Sequence, residues 1–437
     1  MRIIRSPLFI LTFVTLALVT LVISTPGVLQ ERQLSAPPLL DPFHPEEPRE
    51  HGIAAWNGES WTLSTSAFLP NHYQVQPYVA NGYHGSRLPA EGMGFWIDRN
   101  QTGDWQPVNG WPLDNARQTV STISGFWDSQ HNTTRTNFPD LLNDGGESVI
   151  SGIPAWSSMF VTTQKGTTYQ PGVDNFTISN FHQSLSLRNG VVETSFTWYP
   201  DQGGPAYNLT YTVVAHRSRI NLGMVKLEIS SSESTRLTIT DILDGQAAQR
   251  TTFGGKGFAN DGSTMWTSVK PLGITNVTAY EFSTVEISGF TAQDYVSTRY
   301  NAEQRPYVSK SVSTSAQEWR LDLVGNEPRT IVKYVGIASS DAFPDDPMGI
   351  AASAAFDAKA TGWKRLIQEQ DYAWGELWDS SDILIPGDEE LQVALRGSLY
   401  HLLANLRGGS EGSGIGDNSI SVGGLSSDSY AGRKYTV

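Results

Sequence analysis

The sequence predicts a mainly β protein, a large antiparallel sandwich followed by helices. Three observations carry this. Val225, Leu227 and Ile229 alternate with Lys226, Glu228 and Ser230, and after a turn over 231–235 Leu237 and Ile239 repeat the alternation. A period of two gives a strand one buried and one wet face. Further strand-like runs at 208–214, 285–288 and 330–337 are separated by glycine and proline clusters, with no short internal repeat to suggest a propeller. Many such strands must bury one face each, which a two-sheet sandwich does. After Asp341 the apolar period changes to that of a helix.

The elements follow in chain order. Arg2 and Arg5 precede an apolar run from Leu8 to Ile23, with Val22 and Ser24 at small-residue spacing for cleavage after Ser24. This is the layout of a signal peptide over 1–24, and the run is short of the roughly 20 residues a membrane span needs. A retained anchor is the alternative, and no stable span is expected after cleavage. Residues 25–52 carry Pro26, Pro37, Pro38, Pro42, Pro45 and Pro48 and read as an extended linker. The sandwich is assigned to 53–340 and linker helices to 341–386. Ala351 to Ala360 is an alanine-rich helical run that Gly362 interrupts. Beyond it Trp363, Leu366, Ile367, Trp374, Leu377 and Trp378 fall on one helical face. Pro386-Gly387 breaks the chain. Asp388 then caps a helix with Glu389 and Glu390 in its first turn, Leu391, Leu395, Leu399, Leu402 and Leu406 as its apolar stripe, and Arg407 and Gly408 at its end.

Composition narrows the setting. The chain has 437 residues, no cysteine, and 44 acidic against 30 basic side chains, a formal charge of −14. Disulfides and thiolate chemistry are excluded, and a chain this long can be held by core burial. The acidic balance argues against nucleic acid as a partner, because phosphates need a basic face. It also fits an acidic compartment, where protonation relieves self-repulsion. Sequons at Asn100, Asn132, Asn175, Asn208 and Asn276 agree with export and are glycosylation candidates. The histidines show no metal-ligand spacing, so no metal is assigned, and no cofactor is called for.

The most specific stretch is Trp374-Gly-Glu-Leu-Trp378-Asp-Ser-Ser-Asp382-Ile, then Gly387-Asp388, then Gln392-Val-Ala-Leu-Arg396 and Tyr400-His-Leu-Leu403. This pattern resembles glycoside hydrolase family 65, and within it the fungal acid trehalase branch. Asn81-Gly-Tyr83-His-Gly85-Ser-Arg87 resembles an early motif of the family, and Gly423 to Gly432 a segment that there precedes an aromatic-Trp-Asp substrate motif. Here Arg433 to Val437 stands in that motif's place. The resemblance implies an N-terminal sandwich, linker helices and an (α/α)6 catalytic barrel, with 387–437 holding only the start of the barrel. Twelve helices averaging about 11 residues with loops of about four need roughly 180 residues, so the sequence reads as truncated.

The resemblance further implies an inverting hydrolase of α,α-trehalose or a related disaccharide, exported to the cell wall, periplasmic space or vacuole. The family's proton-donating glutamate has no counterpart in these residues, so no catalytic residue is assigned and the isolated chain is expected to be inactive. Asp428 and Tyr430 are the substrate-binding candidates, a carboxylate and a stacking ring beside glycines that admit a close ligand; the bland reading is a glycine-rich tail. Asn81 to Arg87 reads as a tight turn between strands, with Arg87 available to a carboxylate. Asp379 and Asp382 read as helix-end and capping residues, and the tryptophans mainly as packing. Gly408-Gly-Ser410-Glu-Gly412 matches a nucleophile-elbow string but follows a helix instead of a strand, which makes the match accidental. The rival functions are a disaccharide phosphorylase of the same family and a non-catalytic carbohydrate-binding sandwich.

Overall fold

The computed structural model describes residues 54–70, 76–95, 97–98, 117–118, 121–129, 150–289, 296–407 and 425. Its early strands are β1 Ala55–Asn57, β2 Thr62–Thr65, β3 Tyr78–Ala80, β4 His84–Arg87, β5 Ile97–Asp98, β6 Arg117–Gln118 and β7 Ser121–Ile123. Next come β8 Met159–Thr163, β9 Thr168–Tyr169, β10 Ile178–Ser186, β11 Val191–Trp198, β12 Tyr207–Ala215, β13 Leu222–Ser231 and β14 Thr235–Leu243. The last strands are β15 Thr251–Phe258, β16 Met265–Pro271, β17 Ala279–Ser288, β18 Tyr300–Asn301, β19 Ser315–Leu323 and β20 Arg329–Ser339. Three helices follow, α1 Pro347–Thr361, α2 Trp363–Ser381 and α3 Glu389–Asn405.

A ten-stranded antiparallel sheet in the order β1-β2-β10-β11-β12-β13-β20-β17-β16-β15 faces a five-stranded sheet, β18-β19-β14-β8-β9. A third, three-stranded sheet has the order β3-β4-β7. The alternation read in the sequence sets the packing. Val225, Leu227 and Ile229 of β13 are buried between the sheets with Leu209, Tyr211 and Val213 of β12 and Leu237 and Ile239 of β14. Each fully buried side chain of this size contributes about 1.5–3 kcal/mol. A buried ion pair also links the two sheets. The Lys333 Nζ, fully buried, lies 2.8 Å from Asp241 Oδ1 and donates to the carbonyls of Ser158 and Ile242 at 3.0 and 2.8 Å. Asp241 also accepts from Ser283 and Gln317 at 2.8 and 2.9 Å, so residues of both sheets meet in one buried cluster.

The alternate residues of the same strands form the outer face, and at one end the helices cover it. Val214, Leu222, Met224, Val332 and Tyr334 pack against Ala358 and Leu366. The alanine-rich run is the reason α1 can lie so close. A Cβ on Gly336 of β20 would overlap the carbonyl oxygen of Ala351, so both surfaces must be small there. Asp346 caps α1 by accepting from the Gly349 N–H at 2.9 Å, and Gly362, at φ +80°, turns the chain into α2 as the sequence suggests.

α3 departs from its expected stripe and end. Its buried residues are Arg396, Leu399, Tyr400, Ala404 and Asn405, while Leu391 remains 52% exposed. Asp388 does cap it, accepting from the Leu391 N–H at 2.9 Å. At its C-terminal end Leu406 already leaves the helix in an extended conformation, and Gly408 lies outside the described residues. Arg407 instead donates to the carbonyls of Asn81 and Arg217, because the helix end is buried against turns that present those oxygens. Among the described residues no helix is long and apolar enough to cross a membrane. The segments read as signal peptide and proline-rich linker lie outside the described residues.

Candidate functional site at the junction of sheet and helices

The family-like run from Trp374 to Leu403 builds a junction. Trp374 is fully buried and stacks on Tyr400, centroids 5.3 Å apart, over Gly190, where a Cβ would meet the indole at 3.0 Å. Trp378 donates to the Leu187 carbonyl at 3.0 Å. Asp382 is the C-cap of α2, as expected, its N–H donating to Trp378 O at 2.9 Å, and its side chain makes a further link. Its two oxygens take the Arg396 guanidinium at 3.0 and 2.8 Å, and that guanidinium lies 3.6 Å over the ring of Trp61. Trp61 holds a φ of +55° in the turn between β1 and β2 and meets Trp378 edge-on at 5.3 Å. Gln392 bridges back to the loop, donating to Ile383 O at 2.9 Å and accepting from the Ile385 N–H at 2.7 Å.

A second layer comes from two turns. Asn81, fully buried, spends its whole amide. Its oxygen accepts from the Tyr83 and His84 N–H groups at 3.0 Å each, and its nitrogen donates to His216 O and Ile220 O at 2.9 and 3.0 Å. Gly82 sits at φ +85° and donates to Ala404 O at 2.8 Å. A Cβ there would stand 2.6 Å from Leu406 O, so the position needs glycine twice over. In the turn after β12, Arg217 donates to Leu403 O at 2.7 Å, capping α3, and its N–H reaches Gln370 Oε1 at 2.7 Å. His216 donates from Nε2 to Leu366 O at 2.9 Å and accepts at Nδ1 from the Arg219 N–H at 3.1 Å, which fixes a neutral tautomer. Burial holds its pKa down at about 4, against a weaker upward pull from the Leu366 carbonyl. His84, buried under Trp156, is held at about 3 by the same cause.

These layers converge on one main-chain position. Leu425, buried, donates its N–H to Asn405 Oδ1 at 2.6 Å, and its carbonyl accepts from the Thr122 hydroxyl. A Cβ on Gly85 would meet Leu425 at 2.9 Å, so this second motif glycine is the floor on which Leu425 lies. The Asn405 amide nitrogen donates to the Tyr78 hydroxyl and to His401 O, both at 2.6 Å. Tyr78 also meets His401 Nδ1 at 2.8 Å. Burial pushes the Tyr78 phenol up, partly offset by Asn405 and Arg87, and desolvation and Arg87 hold His401 down. Tyr78 serves as a hydrogen-bonding hub. Arg87 reaches the Gln76 carbonyl at 3.0 Å and lies 5.8 Å over the Tyr78 ring.

Asp428 and Tyr430 lie outside the described residues, as do Asn100, Asn132 and the Gly408–Gly412 string. Asn175, Asn208 and Asn276 are exposed. Tyr78, Thr122 and Asn405 were not singled out in the sequence, although His401 lies within the family-like run and Asn405 stands two residues beyond its end at Leu403. Among the described residues no three His, Asp or Glu side chains gather as a metal site. What the arrangement offers is a hydrogen-bonded seat for main chain at Leu425.

The model of the family described as Glycosyl hydrolase family 65, N-terminal domain, matches residues 63–377. An acid trehalase of Emericella nidulans is 36% identical over 394 residues, which are 86% of this chain and 37% of that protein. A cell wall acid trehalase of Arthroderma benhamiae is 35% identical over 394 residues, 86% of this chain and 36% of that protein. The chain therefore spans little more than a third of the length of these curated relatives. Among solved structures, a putative kojibiose phosphorylase from the human microbiome shares the fold, with a TM-score of 0.65 at 15% identity over 87% of this chain and 45% of that one.

Proposed function

We propose, since the chain belongs to glycosyl hydrolase family 65, that it serves an exported acid trehalase, hydrolysing α,α-trehalose to two glucoses with inversion. One observation carries this reading: the likeness to two acid trehalases extends over 86% of the chain. In this reading residues 53–340 form the sandwich, 341–386 the linker helices, and α3 opens an (α/α)6 catalytic barrel. Inversion needs an acid on the leaving oxygen and a water held by a second carboxylate about 6.5–9.5 Å away. No residue described in this chain is given either role. The contribution assigned to it is the substrate wall, with Asp428 hydrogen-bonding the sugar and Tyr430 stacking on it, three and five residues beyond the pinned Leu425. Export is supported by the signal-like layout of 1–24 and by the cell wall location named for the Arthroderma benhamiae relative.

Calorimetric titration of α,α-trehalose into the protein from its native source tests the reading. Asp428→Asn and Tyr430→Ala are each expected to weaken binding about tenfold, the loss of one or two hydrogen bonds or a stacked ring. The unfolding midpoint should not move. Binding unchanged in both variants, or no binding of trehalose at all, contradicts the assignment.

A further inference from the structure

Asp174, Asn175, Phe176 and Thr177 form a single tight turn at the start of β10. The Asp174 carboxylate accepts from the Phe176 N–H at 3.0 Å, and the Thr177 hydroxyl donates to Asp174 O at 2.6 Å. The end of β11 lies alongside, with the Tyr199 N–H donating to Thr177 O at 2.8 Å. On this turn Asn175 is exposed, Phe176 is 98% exposed and Tyr199 is 48% exposed. Scattered exposed apolar residues are ordinary and need no explanation. Here, however, the exposed ring is the middle residue of the tripeptide Asn175-Phe176-Thr177, and a second exposed ring stands at the adjoining register position.

We propose that Asn175 carries an N-linked glycan whose first sugars lie over the rings of Phe176 and Tyr199. A pyranose has an apolar C–H face that stacks on an aromatic ring. Covalent attachment one residue away holds that face at high effective concentration, so even a weak stacking preference is populated. The other described sequons differ. Asn208 stands within β12 with its amide oxygen accepting from the Thr197 hydroxyl at 2.9 Å, and Asn276 follows β16, its carbonyl accepting from Ser340 at 3.3 Å. The inference requires passage through a glycosylating compartment and does not depend on trehalose as substrate.

The test uses the protein secreted from a glycosylating eukaryotic host. Enzymatic release of glycans in heavy-oxygen water followed by peptide mass spectrometry reads occupancy at Asn175. Thermal unfolding is then compared for wild type, Asn175→Gln, the double variant Phe176→Ser/Tyr199→Ser, and the triple variant. With side chains this exposed, the ring substitutions leave the fold in place. Losing the glycan is expected to lower the wild-type midpoint by about 2–4 °C, and the ring substitutions should abolish that difference. An unmodified Asn175 overturns the proposal. So does an equal loss in proteins with and without the two rings, which would mean that the rings face something other than the glycan, such as an apolar partner.

Discussion

Asn405 has no spare hydrogen-bonding capacity that would let it be replaced quietly. Its nitrogen serves Tyr78 and His401 O, and its oxygen holds the Leu425 N–H at 2.6 Å. Asn405→Leu keeps the volume but leaves the buried Leu425 N–H unpaired, which costs about 1–3 kcal/mol, and takes from the buried Tyr78 hydroxyl its Asn405 donor, leaving it His401. Urea unfolding should show a loss of about 2–4 kcal/mol, and hydrogen exchange at the Leu425 amide should accelerate beyond the global effect. Unchanged protection of that amide would mean that Asn405 does not hold the segment. At this scale the sequence was only partly legible. Gly82 was readable as a turn glycine, since tight turns recruit glycine; Gly85, read the same way, lies within β4, where it makes room for Leu425. Arg407 was not, because a basic residue at a helix end has a ready local reading, and the carbonyls it serves come from Asn81 and Arg217, remote in sequence.

Among the elements, the joint between α2 and α3 depends on a planar cation. Arg396 pairs with Asp382 through two hydrogen bonds and covers the Trp61 ring at 3.6 Å, while only 10% of its side chain is exposed. Lysine offers a point charge without the fork or the flat face, so Arg396→Lys is not a conservative change. It is expected to cost about 2–3 kcal/mol by loss of the bidentate geometry and the ring contact. The Trp61 fluorescence environment should change with it. A Lys variant as stable as wild type would reduce the pair to a surface contact. Element positions were legible because alternation and capping are local: β13, the break at Gly362 and the Asp388 cap all stand where the periods put them. The pairing of β13 with β20, and of β2 with β10, was not, since strand order depends on contacts between residues far apart in the chain. Nor was the face of α3. Its leucines suggest one stripe, but Trp374 and Trp61 select the side bearing Arg396 and Tyr400.

Across the whole molecule, buried titratable groups oppose one another. Burial raises the Glu91 carboxyl to about 7 and lifts Glu281 well above the usual carboxylate range. Unfolded, both titrate near 4.5, so their stabilising contribution is complete below that pH and is lost as pH rises through the folded values. For Glu91 the change is worth on the order of 3 kcal/mol. His84 and His216 act in the other direction. Unfolded they titrate near 6.5 and folded near 3 and 4. Their contribution is complete above 6.5 and is lost as pH falls through the folded values. Between about 4.5 and 6.5 the two slopes offset each other. Thermal midpoints are therefore expected to be flattest across that window, falling on its acid side through the histidines and on its alkaline side through Glu91. Glu91→Gln should flatten the alkaline limb and His216→Gln the acid limb; limbs unmoved by both would contradict the assignment. None of this was legible in the sequence, where Glu91 is one of 44 acidic residues and nothing local marks it as enclosed.

The most direct measurement is proton NMR of the first products formed from α,α-trehalose by the native protein in phosphate buffer. Attack by water with inversion releases one glucose as the β anomer and its former partner as the α anomer. Equal initial amounts of α- and β-glucose, with no sugar phosphate, are expected. Glucose phosphate among the first products, or α-glucose alone, would contradict an inverting trehalase.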